Sequence, residues 1–181
     1  MKIISGMLKG RMIKGYDIEG TRPTMDRVKE SLFGMIQNYI MESTVLDLFA
    51  GTGNLGFEAI SNGAKVCYFN DKNRKCVNLI EQNTKDFNVE DKVFVTNLDY
   101  KKALDEYRQK KIKFDLIFLD PPYKMDSLNE VVKFIKDNDL INDNGLIICE
   151  VDNLYLDINY FEKIKEKKYG DKYIVIYKNN L

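Results

Sequence analysis

Leu46 to Gly56 reads LDLFAGTGNLG, an apolar run that stops at three glycines, Gly51, Gly53 and Gly56, in the spacing G-x-G-x-x-G. This spacing constrains the chain more than any other feature. A short strand must end, the backbone must turn with little side-chain cover, and a helix must begin. Gly51 and Gly53 permit positive φ and a close approach of the backbone to a ligand. The flanking sequence keeps the same rhythm. Apolar strands are predicted at 45–49, 65–69, 92–96, 114–120 and 145–151, alternating with helices at 54–62, 73–87, 100–111 and 127–138. Such alternation predicts βαβ units, an α/β Rossmann-like architecture with helices on both faces of a mostly parallel sheet. The tail YFEKIKEKKYGDKYIVIYK reads as two more strands around Gly170 and Asp171, which brings the sheet to seven, although 161–168 also reads as helix.

Ahead of the sheet, residues 1–15 alternate loosely and contain Gly6, Gly10 and Gly15, which predicts a short antiparallel hairpin. TRPTMDRVKESLFGMIQNYI follows as a helix that Thr24 can cap. The organisation expected is therefore an N-terminal hairpin-and-helix extension over 1–40 and a cofactor-binding domain over 41–181.

Composition excludes several classes of function. The chain has 181 residues, 44% hydrophobic and 31% charged, with no apolar run near membrane-span length and no signal-peptide core in MKIISGMLKGR. Cys67, Cys76 and Cys149 lack metal-type spacing, so reduced thiols, a cytoplasmic setting and no bound metal are expected. With no histidine in the chain, Ser-His and Cys-His nucleophiles and most zinc sites are excluded. The net charge is zero, yet Lys2, Lys9, Arg11 and Lys14 fall in the first fifteen residues without an acid, and Arg22, Arg27 and Lys29 follow. This clustering fits either a phosphate-binding footprint or a solvated face. A monomer is the default for one small domain.

In an open α/β sheet, ligands sit beyond the carboxyl ends of the strands, near the point where strand order reverses. Asp71, at the end of the second predicted strand, can accept hydrogen bonds from ribose hydroxyls. Glycines and acid together fit a nicotinamide dinucleotide or an adenosyl cofactor; a plain tight turn with Asp71 capping a helix is the remaining alternative. Asp47, inside the first strand, would repel a pyrophosphate but attract the amino group of a methionine moiety, which favours S-adenosylmethionine. Phe49, Asp99 and Tyr100 are further candidates around the same cofactor, Asp99 for an adenine amino group, although it reads equally well as a helix N-cap. FLDPPY, Phe118 to Tyr123, ends the fourth strand. Pro121 and Pro122 stiffen the backbone and remove two donors, so Asp120 and a proline carbonyl form a rigid acceptor pair suited to an exocyclic NH₂. Tyr123 is placed to stack on a planar base.

LDLFAGTGNLG, Asp71 and LDPPY together resemble the class I S-adenosylmethionine-dependent methyltransferases that act on exocyclic amines. ISGMLKGR and GTRPTMDRVKESLF narrow the resemblance to the bacterial 16S rRNA guanine-N2 methyltransferase family (RsmD-type), over nearly the whole chain. Thr52 stands where family members often carry Ser, and Leu8 where an aromatic is frequent; after Val151 only the pattern matches. The resemblance implies methyl transfer from S-adenosylmethionine, leaving S-adenosylhomocysteine, to N2 of one guanine (the 966 type, in RNA numbering) of 16S rRNA in an assembled or assembling 30S subunit. It implies that Asp120 and the Pro121 carbonyl orient the amine, and it makes Lys9, Arg11, Lys14, Arg22 and Arg27 candidates for phosphate contacts. A DNA adenine amino-methyltransferase and an NAD(P)-binding oxidoreductase are the alternatives.

Overall fold

The computed structural model describes residues 1–15, 23–122, 128–152, 156 and 158–180. Two of the residues singled out above, Arg22 and Tyr123, lie outside the described residues. The core is one seven-stranded sheet. In chain order the elements are α1 (Pro23–Ile36), β1 (Thr44–Asp47), α2 (Asn54–Ser61), β2 (Val66–Asn70), α3 (Arg74–Phe87), β3 (Val93–Thr96), α4 (Tyr100–Gln109), β4 (Phe114–Leu119), α5 (Leu128–Asp137), β5 (Ile141–Val151), β6 (Glu162–Tyr169) and β7 (Lys172–Lys178). Strand order is β3-β2-β1-β4-β5-β7-β6. The first five strands are parallel, and β7 lies antiparallel between β5 and β6.

The inner strands read as unbroken apolar runs because both of their faces are covered. One face packs Phe57, Ile60 and Ile80 of α2 and α3, with Ile36 of α1, against Phe69 and Phe118. The other packs Leu104 and Tyr107 of α4 and Val131 and Ile135 of α5 against Leu46, Phe114 and Ile117. The tail resolves as two strands. EKIKEKKY has no apolar stripe to bury as a helix, and pairing with the edge of β7 satisfies its backbone instead.

Two expectations need correcting. The helix α1 begins at Pro23, so Thr24 lies in its first turn and not at its cap; proline suits that first position because its missing N–H has no intrahelical partner there. The N-terminal hairpin is reduced to a bridge between Lys2 and Met12. The Ile3 and Ile13 amides donate to the carbonyls of Arg11 (2.9 Å) and Met1 (2.8 Å). Side chains fasten this short piece: Ile3, Leu8 and Ile13 enter the same apolar cluster as α1 and α2. Among the described residues no helix is long and apolar enough to cross a membrane.

Candidate active site

The strand order reverses between β1 and β4, so the crevice at their carboxyl ends is the place for a ligand. Register brings the predicted acids there in a row. Asp47 is level with Phe69 of β2 and Phe118 of β4, and Asn70 with Thr96 of β3. Asp71 and Asp120 therefore stand two residues beyond Asp47 on its two neighbouring strands, and Asp99 three beyond the end of β3.

The glycines divide their work. Gly51 (φ +56°) and Gly53 (φ +88°) are in the left-handed region, which side chains rarely adopt. A Cβ on Gly51 would meet nothing within 4 Å, so its α-carbon borders open space. A Cβ on Gly56 would lie 2.2 Å from the Phe69 ring, so this third glycine lets α2 press on β2.

Asp71 braces the turn. Its Oδ2 accepts the Gly51 amide at 2.9 Å and its Oδ1 the Asn73 amide at 2.8 Å. The cap of α3 is Asn73, which accepts from the Lys75 amide, so the cap reading of Asp71 is set aside. Asp47 is 2% exposed and its Oδ2 accepts the Gly56 amide at 3.0 Å. Burial, opposed by that bond and reinforced by the charges of Asp120 and Asp71, pushes its carboxyl up to about 7. Asp99 caps α4 by accepting from the Lys101 amide at 3.0 Å. Beside it the rings of Tyr100 and Phe49 pair at 5.6 Å. Asp120, half-buried past the end of β4, is also pushed up to about 7, first by burial and then by Glu150, with Lys172 opposing. Lys172 is itself ion-paired with Glu150. Pro121 is half-buried and Pro122 exposed.

The sequence reading missed Asn70. Its buried amide donates to the carbonyls of Leu48 (3.2 Å) and Leu98 (3.0 Å) and accepts from the Thr96 hydroxyl (2.8 Å). It thereby ties the loops after β1 and β3 to β2. An asparagine ending an apolar strand was the available signal. Thr52 Oγ1 is buried between the first two glycines without a hydrogen-bond partner among the described residues.

The basic candidates are spread more widely. Lys9 and Arg27 are exposed. Arg11 donates to the Asp86 carbonyl and lies over the Phe87 ring, and Lys14 pairs with the Asp86 carboxylate at 2.6 Å, so both fasten the hairpin to α3 while staying largely accessible. Leu8, at the position where an aromatic is frequent, is buried.

The chain is 36% identical to YlbH of Bacillus subtilis, over 98% of each chain. It is 32% identical to the ribosomal RNA small subunit methyltransferase D of Haemophilus influenzae, over 99% of this chain and 94% of that one. The solved structure of yhhF from Escherichia coli superposes with a TM-score of 0.87 at 26% identity, covering 100% of this chain and 98% of that chain. The class I methyltransferase fold is thus shared along its whole length. A family model described as conserved hypothetical protein 95 matches residues 1–178, and the chain belongs to that family, the RsmD-type methyltransferases its motifs resemble.

Proposed function

We propose that this protein transfers a methyl group from S-adenosylmethionine to the exocyclic N2 of a guanine in 16S rRNA of the small ribosomal subunit, at the position of the 966 type. The observation that carries the reading is the placement of Asp120 and the Pro121–Pro122 pair at the switch point beside the acid row of Asp47, Asp71 and Asp99.

The residues fit the cofactor. Gly51 borders open space, as a backbone approached by a ligand requires. The Asp47 carboxylate suits a cationic amino group, Asp71 suits vicinal hydroxyls, and Phe49 and Tyr100 offer ring faces to a purine. When bound, the cofactor supplies an electrophilic methyl on a sulfonium. The chain's own residues do the rest. Asp120 and the Pro121 carbonyl accept the two N–H bonds of the guanine amine, which orients the nitrogen and draws it from the plane of the ring so that its lone pair is free. Asp120 accepts the surplus proton once the nitrogen has become cationic; a carboxyl pushed up to about 7 is suited to that task at neutral pH. Residues 1–40, with Lys9, Arg11, Lys14 and Arg27, supply cationic contacts to the RNA backbone.

The test is transfer of labelled methyl from S-adenosylmethionine to small subunits of a strain lacking the enzyme, followed by nucleoside analysis. N2-methylguanosine in 16S rRNA is expected. Label in adenine, or in DNA alone, would overturn the substrate.

A further inference from the structure

We infer that the outer strand β6 of the β6–β7 hairpin continues the RNA-binding surface of the N-terminal extension, past α1, along the same end of the sheet as the switch-point crevice. The inference rests on the RNA methyltransferase reading above and adds to it the lysines of β6, which that reading leaves unassigned.

Register places the hairpin at the active end of the sheet. Glu150 of β5 is level with Ile174 of β7, and Ile174 with Lys167 of β6. Leu119 is level with Cys149, so Asp120 is level with Glu150. The turn at Gly170 and Asp171 therefore projects past the same strand ends as Asp120. The helix α1 starts near that end, because Lys29, in its second turn, donates to Asn54 at the start of α2.

The strand β6 is cationic there and neutralised elsewhere. An irregularity at Ile164 resets the alternation, so Lys165 and Lys167 face the same side as α1, opposite Ile176 and Ile174. Tyr169 donates to the Ser31 hydroxyl of α1 at 2.6 Å, and Lys167 to the same oxygen at 3.1 Å. Arg27 is one turn before Ser31 on the same helical stripe and is exposed. Lys168 faces the other side, over the Tyr173 ring at 5.5 Å. Among the described residues none of Lys165, Lys167 and Lys168 has a carboxylate within ion-pairing distance. The two acids of β6 are occupied, Glu166 by Lys163 at 2.7 Å and Glu162 by Asn180. Lysines on an edge strand also deter pairing with another chain, but that purpose is served equally by neutralised lysines such as Lys163. Unneutralised cations, of which Lys167 is fixed to α1, crowded toward the catalytic end of the edge strand, match a phosphate backbone leading into the crevice.

The test compares wild type with Lys165→Gln/Lys168→Gln and with the triple variant that adds Lys167→Gln. The substrate is small subunits from a strain lacking the enzyme, assayed at several salt concentrations. The triple variant is expected to raise KM for subunits about tenfold and to flatten the salt dependence by about two in log–log slope, with kcat and cofactor affinity unchanged. Lys163→Gln, whose charge is already paired with Glu166, should match wild type. Should the triple variant unfold, the double variant alters only exposed side chains and is read the same way, with a smaller shift. Unchanged KM and slope, or a fall in kcat alone, would overturn the inference. Failure of the wild type itself to methylate small-subunit RNA would remove the underlying reading, and is seen before any substitution is made.

Discussion

Lys29 Nζ lies 2.9 Å from Glu58 Oε2, and both side chains are at most 2% exposed. The ammonium also donates to the Lys2 carbonyl and to Asn54 Oδ1, each at 2.8 Å, so all three of its protons are used. The carboxylate in turn accepts the amides of Ile4 (3.0 Å) and Ser5 (2.9 Å). One buried pair thus joins the N-terminal hairpin, α1 and the helix that follows the glycine turn. Lys29→Met should cost about 3–5 kcal/mol of stability, because Glu58 is left as an uncompensated buried charge. Lys29→Met/Glu58→Gln should recover part of that loss, since the buried charge is gone. Urea denaturation of wild type, Lys29→Met, Glu58→Gln and the double variant completes the cycle, and additivity of the two single costs would refute the coupling.

Asp47 should make the cofactor-free protein lose stability as pH rises. Its carboxyl moves from 3.8 to about 7 on folding, so between those values the folded state holds a proton that the unfolded chain has released. Stability therefore falls as pH climbs through that window and stays low above it. Asp47→Asn keeps an oxygen for the Gly56 amide and removes the titration. It is expected to lessen the pH dependence, of which Asp120, also pushed up to about 7, keeps its own share, to be about 2–4 kcal/mol more stable than wild type at pH 8, and to lose about 10- to 100-fold in cofactor affinity. Denaturation at pH 5 and 8, with calorimetric titration of S-adenosylmethionine, tests the two effects separately.

The first and third glycines should fail in different ways. Gly51→Ala places a methyl in open space at φ +56°, a backbone strain of about 1 kcal/mol, and leaves the fold intact. Its main effect should be loss of cofactor binding, because the methyl occupies ground the ligand needs. Gly56→Ala sets a methyl 2.2 Å from the Phe69 ring and 2.8 Å from Cys67 Sγ, and should cost about 1–3 kcal/mol through overpacking. Thermal melts with and without cofactor distinguish them: Gly51→Ala should melt near wild type and gain little from the ligand.

Much of this arrangement is legible in the sequence because period and punctuation coincide. The first strand ends at glycines and the fourth at Pro-Pro, and each of the first four strands carries an acid at or just past its end, so Asp47, Asp71, Asp99 and Asp120 can be placed at one edge from the sequence alone. What stays hidden is long-range. Lys29 and Glu58 read as ordinary surface charges of amphipathic helices, and only packing reveals that they are each other's partner. Asn70 reads as a strand end, while its work lies in loops that the chain reaches 22 residues earlier and 28 later. Local propensity cannot choose between helix and strand for EKIKEKKY; the unpaired edge of β7 does.

Asp120 should govern the chemical step and leave cofactor binding alone. Among the described residues its main electrostatic neighbours are Glu150 on the adjacent strand β5 and Lys172 on β7, away from the glycine turn, and it reaches the cofactor residues only as a charge felt by Asp47. Asp120→Asn retains a hydrogen-bond acceptor but lacks the charge and the capacity to take a proton. It should lower kcat about 10²- to 10³-fold while S-adenosylmethionine affinity stays within a few fold. Because the folded carboxyl is pushed up to about 7, the ionised form that receives the amine protons grows in as pH rises through neutrality. Single-turnover methyl transfer at saturating cofactor should therefore increase from pH 6 to 8 with a midpoint near 7, and the increase should vanish in Asp120→Asn. Saturation keeps the titration of Asp47, which acts on cofactor affinity, out of the measured rate. A profile that persists in the variant would mean that the titrating group is another one, and that Asp120 only holds the base in place.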